Sequence, residues 1–201
     1  MTTIGIYLFD RAEELDFVGP WEILTASAML HEQAGETPDR VLTIAQSSDP
    51  VRCNKGMRVL PDATFDDHPP LDVVLVPGGN GVRTEVDNAV GIAWLRSVCA
   101  TASWVTSVCT GALLLHEAGP GRGRRLATHW GFEDTLEARG EVTVVRDERW
   151  VVDGNVVSSQ GVSAGIDMAL WLVGQLHTPA HALATQRYVQ YDPAPPYQDH
   201  R

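Results

Sequence analysis

The sequence is short of cysteine: 201 residues contain three, Cys53, Cys99 and Cys109, with no Cys-x-x-Cys pair. An odd, unpaired set speaks against a disulfide framework and a thiolate zinc site, and fits a reducing compartment. Positive charge is also scarce, with 15 Lys and Arg against 26 Asp and Glu, for a formal net charge of −11. That balance repels phosphate backbones and anionic lipid. The one basic cluster, Gly121–Arg125 (GRGRR), reads as a solvated loop after a helix, so no nucleic-acid partner is expected. No apolar run reaches the roughly 18 residues of a membrane span, and the opening MTTIGIYLFD has neither the basic start nor the cleavage site of a signal peptide. A cytoplasmic protein without a membrane partner is the expectation. Neither G-x-x-x-x-G-K-[ST] nor G-x-G-x-x-G stands at a strand end, which removes support for phosphate or dinucleotide binding.

What is present is a hydrophobic content of 44%, enough for one sizeable core, and no shift of composition that marks a second domain. Residues 1–201 therefore read as a single domain. Ile4–Phe9 (IGIYLF) predicts a short buried strand, and the stretch from Gly19 to Gly35 predicts a helix with Pro20 in its first turn. RVLTIAQ predicts a second strand, and the segment around CNKG, between Pro50 and Pro61, a hairpin. Asp72–Gly79 (DVVLVPGG) is a continuous apolar run that exits into a tight loop, as a central parallel strand does. Further on come the amphipathic AVGIAWLRSVCATA, a strand in SWVTSV, a helix in TGALLLHEAG and a short helix in THWGFEDTLEARG. VVDGNVV predicts an Asp-Gly hairpin, and two helices, SAGIDMALWLVGQLH and PAHALATQRYVQ, precede a proline-rich tail. Strands alternating with helices predict an α/β sandwich with a mostly parallel central sheet. In such sheets ligands bind beyond the carboxyl ends of the strands.

Two of those ends carry unusual chemistry, Pro77-Gly78-Gly79 and Cys109-Thr110-Gly111. A cysteine on a strand-to-helix turn faces unpaired N–H groups and the positive end of the helix dipole, which favours its thiolate. Thr110 places a hydroxyl beside the sulfur, and Gly111 leaves room for a substrate to approach. The alternative for Cys109 is a buried structural cysteine. Cys99 reads as core, and Cys53 has no assignment. Gly78 and Gly79 fit either an oxyanion hole or a tight turn. Asp16, in EELDFVGPWE, falls between the first strand and its helix; a carboxyl buried there is a general acid, whereas a solvated one merely caps the helix. His129, in ATHW, is open to the same two readings.

Taken together, LFDRAEELDFVGPWEIL, VLVPGGNGV, SVCTGALLL, HEAGPGRGRRLATHW, VVSSQGVSAGIDMAL and YDPAPPY run nearly end to end. In that order and spacing they resemble the DJ-1/PfpI superfamily of glutamine amidotransferase class I-like domains, and within it the isonitrile hydratases. The resemblance implies a flavodoxin-like three-layer sandwich, usually a homodimer, with the cysteine on a nucleophile elbow. It implies Cys109 as nucleophile, Asp16 as acid and Thr110 as an essential neighbour, Gly78 and Gly79 in the oxyanion loop with Gly111 beside it, and His129 near the nucleophile. The implied reaction adds water to an isonitrile through a cysteine thioimidate, with no cofactor and no metal. Peptidase-like members carry histidine directly after the cysteine, where Thr110 stands here; DJ-1-like members carry glutamate where Asp16 stands, which points to the isonitrile branch. The wider superfamily also suggests hydration of reactive carbonyls or a cysteine redox sensor. The motifs resemble the amino-terminal domains of AraC-type regulators as well, but YDPAPPYQDHR after Gln190 is too short for a helix-turn-helix pair.

Overall fold

Strands and helices alternate along the chain, and each strand of the main sheet after the first is reached by a crossover or a tight hairpin. The structure, a computed structural model, describes residues 1–195. The first half holds β1 (Thr3–Tyr7), α1 (Glu14–Gln33), β2 (Arg40–Ala45), β3 (Val51–Arg52), β4 (Arg58–Val59), β5 (Ala63–Thr64), β6 (Val73–Val76), α2 (Val82–Glu85) and α3 (Ala89–Cys99). Then come β7 (Trp104–Val108), α4 (Gly111–Ala118), β8 (Arg124–Leu126), a 3-10 turn (Trp130–Phe132), α5 (Glu133–Glu137) and β9 (Val142–Val144). The chain continues through β10 (Trp150–Asp153), β11 (Val156–Ser159), α6 (Ala164–Leu176) and α7 (Pro179–Tyr188).

The main sheet has the order β10-β11-β7-β6-β1-β2-β5. Every neighbouring pair is parallel except β10 with β11. All four residues of β6 are fully buried, as expected for a central strand covered on both faces. Helices α1, α6 and α7 pack together on one side, while α2, α3 and α4 pack on one another. Ile4 and Val73 of the sheet join Ile23, Leu24, Leu172 and Val173 in one apolar cluster; Leu75, Leu95, Val105 and Leu114 belong to a second, larger one. This is the mostly parallel α/β sandwich anticipated from the strand and helix pattern, in the flavodoxin-like form that the resemblance implies.

Four local expectations are corrected. Helix α1 begins at Glu14 rather than Gly19, so Asp16 lies in its first turn and Pro20 inside it. Pro20 has no N–H to give the Asp16 carbonyl four residues back, yet the helix is held by packing: the Pro20 ring lies against Gly165 of α6. The last hairpin pairs Asp153 with Val156, so its loop is Gly154-Asn155, with only Gly154 at positive φ. The segment around THWGFEDTLEARG divides into the 3-10 turn and α5. The basic cluster is not a free loop: Arg124 and Arg125 lie in β8, paired in parallel with β9, and Arg122 and Arg124 face Glu141 and Asp153 at 3.8 and 3.4 Å. Acidic partners thus neutralise what reads in sequence as a basic patch. The CNKG hairpin forms as expected between β3 and β4. The closing motif YDPAPPY passes beyond the described residues at Pro196.

Order along the sheet decides what meets at its carboxyl edge. Strands β11, β7, β6 and β1 are consecutive neighbours, so the loops leaving them, with Val162, Cys109, Gly78 and Asp16, converge. Leu114 is fully buried in the helix that follows Cys109. Leu114→Ala is expected to lower stability by about 2–5 kcal/mol, the loss typical of a leucine truncated in a packed core, as read by urea unfolding.

Candidate active site

Val105–Val108 are buried in β7, and the chain must then turn sharply to start α4 at Gly111. Cys109 makes that turn with φ of +58°, a left-handed conformation that costs a non-glycine residue on the order of 1–3 kcal/mol. Backbone bonds hold it there on both sides. Its N–H donates to the Ser159 and Gln160 carbonyls at 3.1 and 3.2 Å, and its carbonyl accepts the Thr128 hydroxyl at 2.8 Å. The expected nucleophile-elbow geometry is present. Gly111 serves a different purpose from the one anticipated: a Cβ there would overlap the Val76 carbonyl oxygen, so glycine lets α4 seat on the end of β6 rather than opening space for a ligand.

Asp16 is wholly buried and neither caps the helix nor meets solvent. Its Oδ2 accepts the Gly78 N–H at 2.9 Å. Oδ1 has no hydrogen bond of ordinary geometry to satisfy it, while the carboxyl as a whole is faced by the Cys109 thiol and the Val162 N–H. Gly78 permits this approach, because a Cβ would stand 2.5 Å from the Thr110 nitrogen and 3.0 Å from Asp16 Oδ2. The Gly79 N–H donates to Thr110 Oγ1 at 3.0 Å. Both N–H groups expected to face a developing oxyanion are therefore already engaged. Gly78 fixes the carboxyl and Gly79 fixes the threonine.

Burial raises the Asp16 pKa to about 7, outweighing the opposing effects of the Gly78 N–H, the Cys109 thiol and the Val162 N–H. Burial also pushes the Cys109 thiol up to about 12, with the Asp16 charge adding to the rise and the Thr110 and Val162 N–H groups opposing it. The helix-start thiolate anticipated from the turn is overridden. Two buried acids in contact cannot both ionise cheaply, so near neutral pH the sulfur keeps a proton that the carboxylate can receive.

His129 lies beside the loop that carries Val162. Its Nδ1 accepts the Gly131 N–H at 3.1 Å, capping the 3-10 turn, and its ring packs against Gly161. It follows Thr128, which bonds Cys109 directly. Cys99 is core, as expected, with its thiol raised to about 12 by burial, and Cys53 is likewise buried. The residue missed in sequence is Val162, whose N–H faces both sulfur and carboxyl and whose φ of +52° is unusual for a β-branched side chain. Its signal was positional: QGV follows β11, the strand beside β7. Cys109 and Asp16 are the two potential metal ligands this site brings together; its chemistry is that of a thiol beside a carboxyl.

Comparison with known proteins bears on the family and the fold. The model of the DJ-1/PfpI family matches residues 2–175. Isonitrile hydratase from Pseudomonas putida is 38% identical over 195 residues, covering 96% of this chain and 80% of that protein. An HTH-type transcriptional regulator of Pseudomonas aeruginosa, GbdR, is 26% identical over 199 residues, and the chain spans 53% of its length. Among solved structures, a ThiJ/PfpI family protein from Pseudomonas syringae superposes with a TM-score of 0.89 at 30% identity, covering 100% of this chain and 79% of that one.

Iodoacetamide labelling of Cys109 across pH, read by peptide mass spectrometry, reports the charge coupling directly. Above about pH 7 Asp16 carries negative charge that disfavours the thiolate. Asp16→Asn is therefore expected to shift the labelling profile to lower pH; an unchanged or upward-shifted profile would contradict the coupling.

Proposed function

The chain belongs to the DJ-1/PfpI family, and from that premise we propose that it hydrates isonitriles, R–N≡C, to N-substituted formamides. The observation that carries the reading is the buried thiol and carboxyl in contact, with Asp16 raised to about 7. An isonitrile's terminal carbon is basic, and becomes strongly electrophilic once protonated. A pair that holds one mobile proton beside a nucleophile meets both demands at a single atom.

In the proposed sequence the Cys109 proton passes through Asp16 to the isonitrile carbon as the sulfur bonds that carbon, giving the thioimidate R–N=CH–S–Cys109. Asp16, again a carboxylate, takes a proton from water while the hydroxyl adds to the carbon, and delivers that proton to nitrogen. Collapse of the adduct breaks the C–S bond and forms the formamide carbonyl, and the hydroxyl proton returns by way of Asp16 to Cys109. The Thr110 oxygen accepts the Gly79 N–H at 3.0 Å, and its hydroxyl proton has only a long contact, 3.5 Å, to the Gly79 carbonyl; we assign that proton to the substrate nitrogen when substrate binds. We read the protein as a cytoplasmic homodimer; its three cysteines are free and buried, in keeping with a reducing compartment.

The engaged glycine N–H groups weigh against hydration of a reactive carbonyl, because aldehyde addition builds charge on oxygen that needs open donors. The test is incubation of purified protein with alkyl and aryl isonitriles, following formamide by chromatography. Wild type is expected to produce formamide, Cys109→Ala none, and Asp16→Asn a rate lower by about 10²–10⁴ with the fold retained. No formamide from folded wild-type protein across the panel would sink the reading.

A further inference from the structure

At the opposite end of the molecule, roughly four turns and about 22 Å along α1 from Asp16, three histidines and an aspartate meet. His31 ends α1, Asp39 precedes β2, His177 follows α6 and His181 lies in the first turn of α7. The imidazoles crowd together: His31 stacks on His181 with ring centres 3.9 Å apart and meets His177 edge-on at 4.1 Å. Asp39 and His31 are buried. One ring nitrogen each of His31 and His177 and a carboxylate oxygen of Asp39 lie within 4.8 Å of one another.

We infer that His31, Asp39 and His177 form a binding site for a divalent cation of the zinc class, remote from Cys109. Two imidazoles and one carboxylate are borderline donors, which suit zinc better than magnesium or calcium. Tetrahedral zinc with bonds of about 2.0–2.2 Å spaces its donors about 3.4 Å apart, within reach of small side-chain rotations. The surroundings already orient the set. Asp39 Oδ1 is occupied by the Thr2 N–H at 2.7 Å, leaving Oδ2, which lies 2.7 Å from His177 Nε2, for a cation. His181 is held through Nε2 by the Ser27 hydroxyl at 2.9 Å and packs on His31 without competing as a ligand. The buried His31 has Glu36 as its polar neighbour, at 3.5 Å, too long for a strong hydrogen bond; Glu36 is exposed and able to swing in as a fourth ligand, with water as the alternative. The cation would clasp the end of α1 and the turn before β2 to the α6–α7 junction, which lies 138 residues from Asp39 in sequence.

The experiment uses untagged protein equilibrated with Zn²⁺, dialysed and analysed for bound metal, with thermal unfolding in parallel. One zinc per chain and a raised Tm are expected, because a cation that binds only the folded state stabilises it. His31→Gln and His177→Gln, checked for folding by circular dichroism, are each expected to lower zinc affinity by more than about 10-fold. Co²⁺ titration of the unaltered protein supplies a readout free of any folding defect: ligand-field bands without thiolate charge transfer are expected. Failure of zinc uptake, a thiolate band that places the metal on cysteine, or undiminished binding in both folded variants would overturn the inference.

Discussion

The Asp16 carboxyl, taken out of water and set against a thiol, is the constraint around which the surrounding structure is arranged. A buried carboxyl either finds partners or keeps its proton, and here it does part of each. One oxygen accepts the Gly78 N–H, while the other lacks an ordinary hydrogen bond. Burial raises the group to about 7 against the lowering effect of its hydrogen-bond donors, and in the proposed reaction it carries the proton of the neighbouring sulfur. Full hydrogen bonding would have left a permanent carboxylate, and isolation in hydrocarbon a permanent acid.

Everything that positions the pair follows from strand order. Four adjacent strands of the main sheet end side by side, and each contributes one part: β1 leads into the helix that carries Asp16, β6 into Gly78, β7 into Cys109 and β11 into Val162. Local chain geometry then fixes direction. The left-handed turn at Cys109 is held by backbone bonds to the loop after β11, and the absent side chains at Gly78 and Gly111 let the β6 loop and α4 close to contact. Strain at Cys109 and Val162 is thus borne by neighbours that depend on the same sheet register.

Much of this was legible in the chain. The apolar run ending at Gly78-Gly79 and the β-rich run ending at Cys109 placed two strand ends by composition alone, and the position of Asp16 after the first strand placed a third. Hydrogen-bond direction was not legible. Glycines at a strand end look alike whether their N–H groups face a ligand or a neighbouring side chain, so in sequence Gly78 and Gly79 fit either an oxyanion hole or a tight turn, and the structure sets their N–H groups on Asp16 and Thr110. The thiolate expected at a helix start failed for a related reason: burial and a facing carboxyl are tertiary effects, and here they exceed the local dipole. Val162 and the histidine cluster depend on dihedrals and on contacts between segments more than a hundred residues apart, which no window of sequence contains.

The central claim is that Asp16 and Cys109 hold one transferable proton between them near neutral pH. Direct titration of the Asp16 carboxyl by carbon-13 NMR, with aspartate-labelled protein and Asp16→Asn to assign the resonance, tests it most directly. The account predicts a carboxyl that ionises near pH 7. A carboxyl already fully ionised at pH 5, within the ordinary aspartate range, would contradict it.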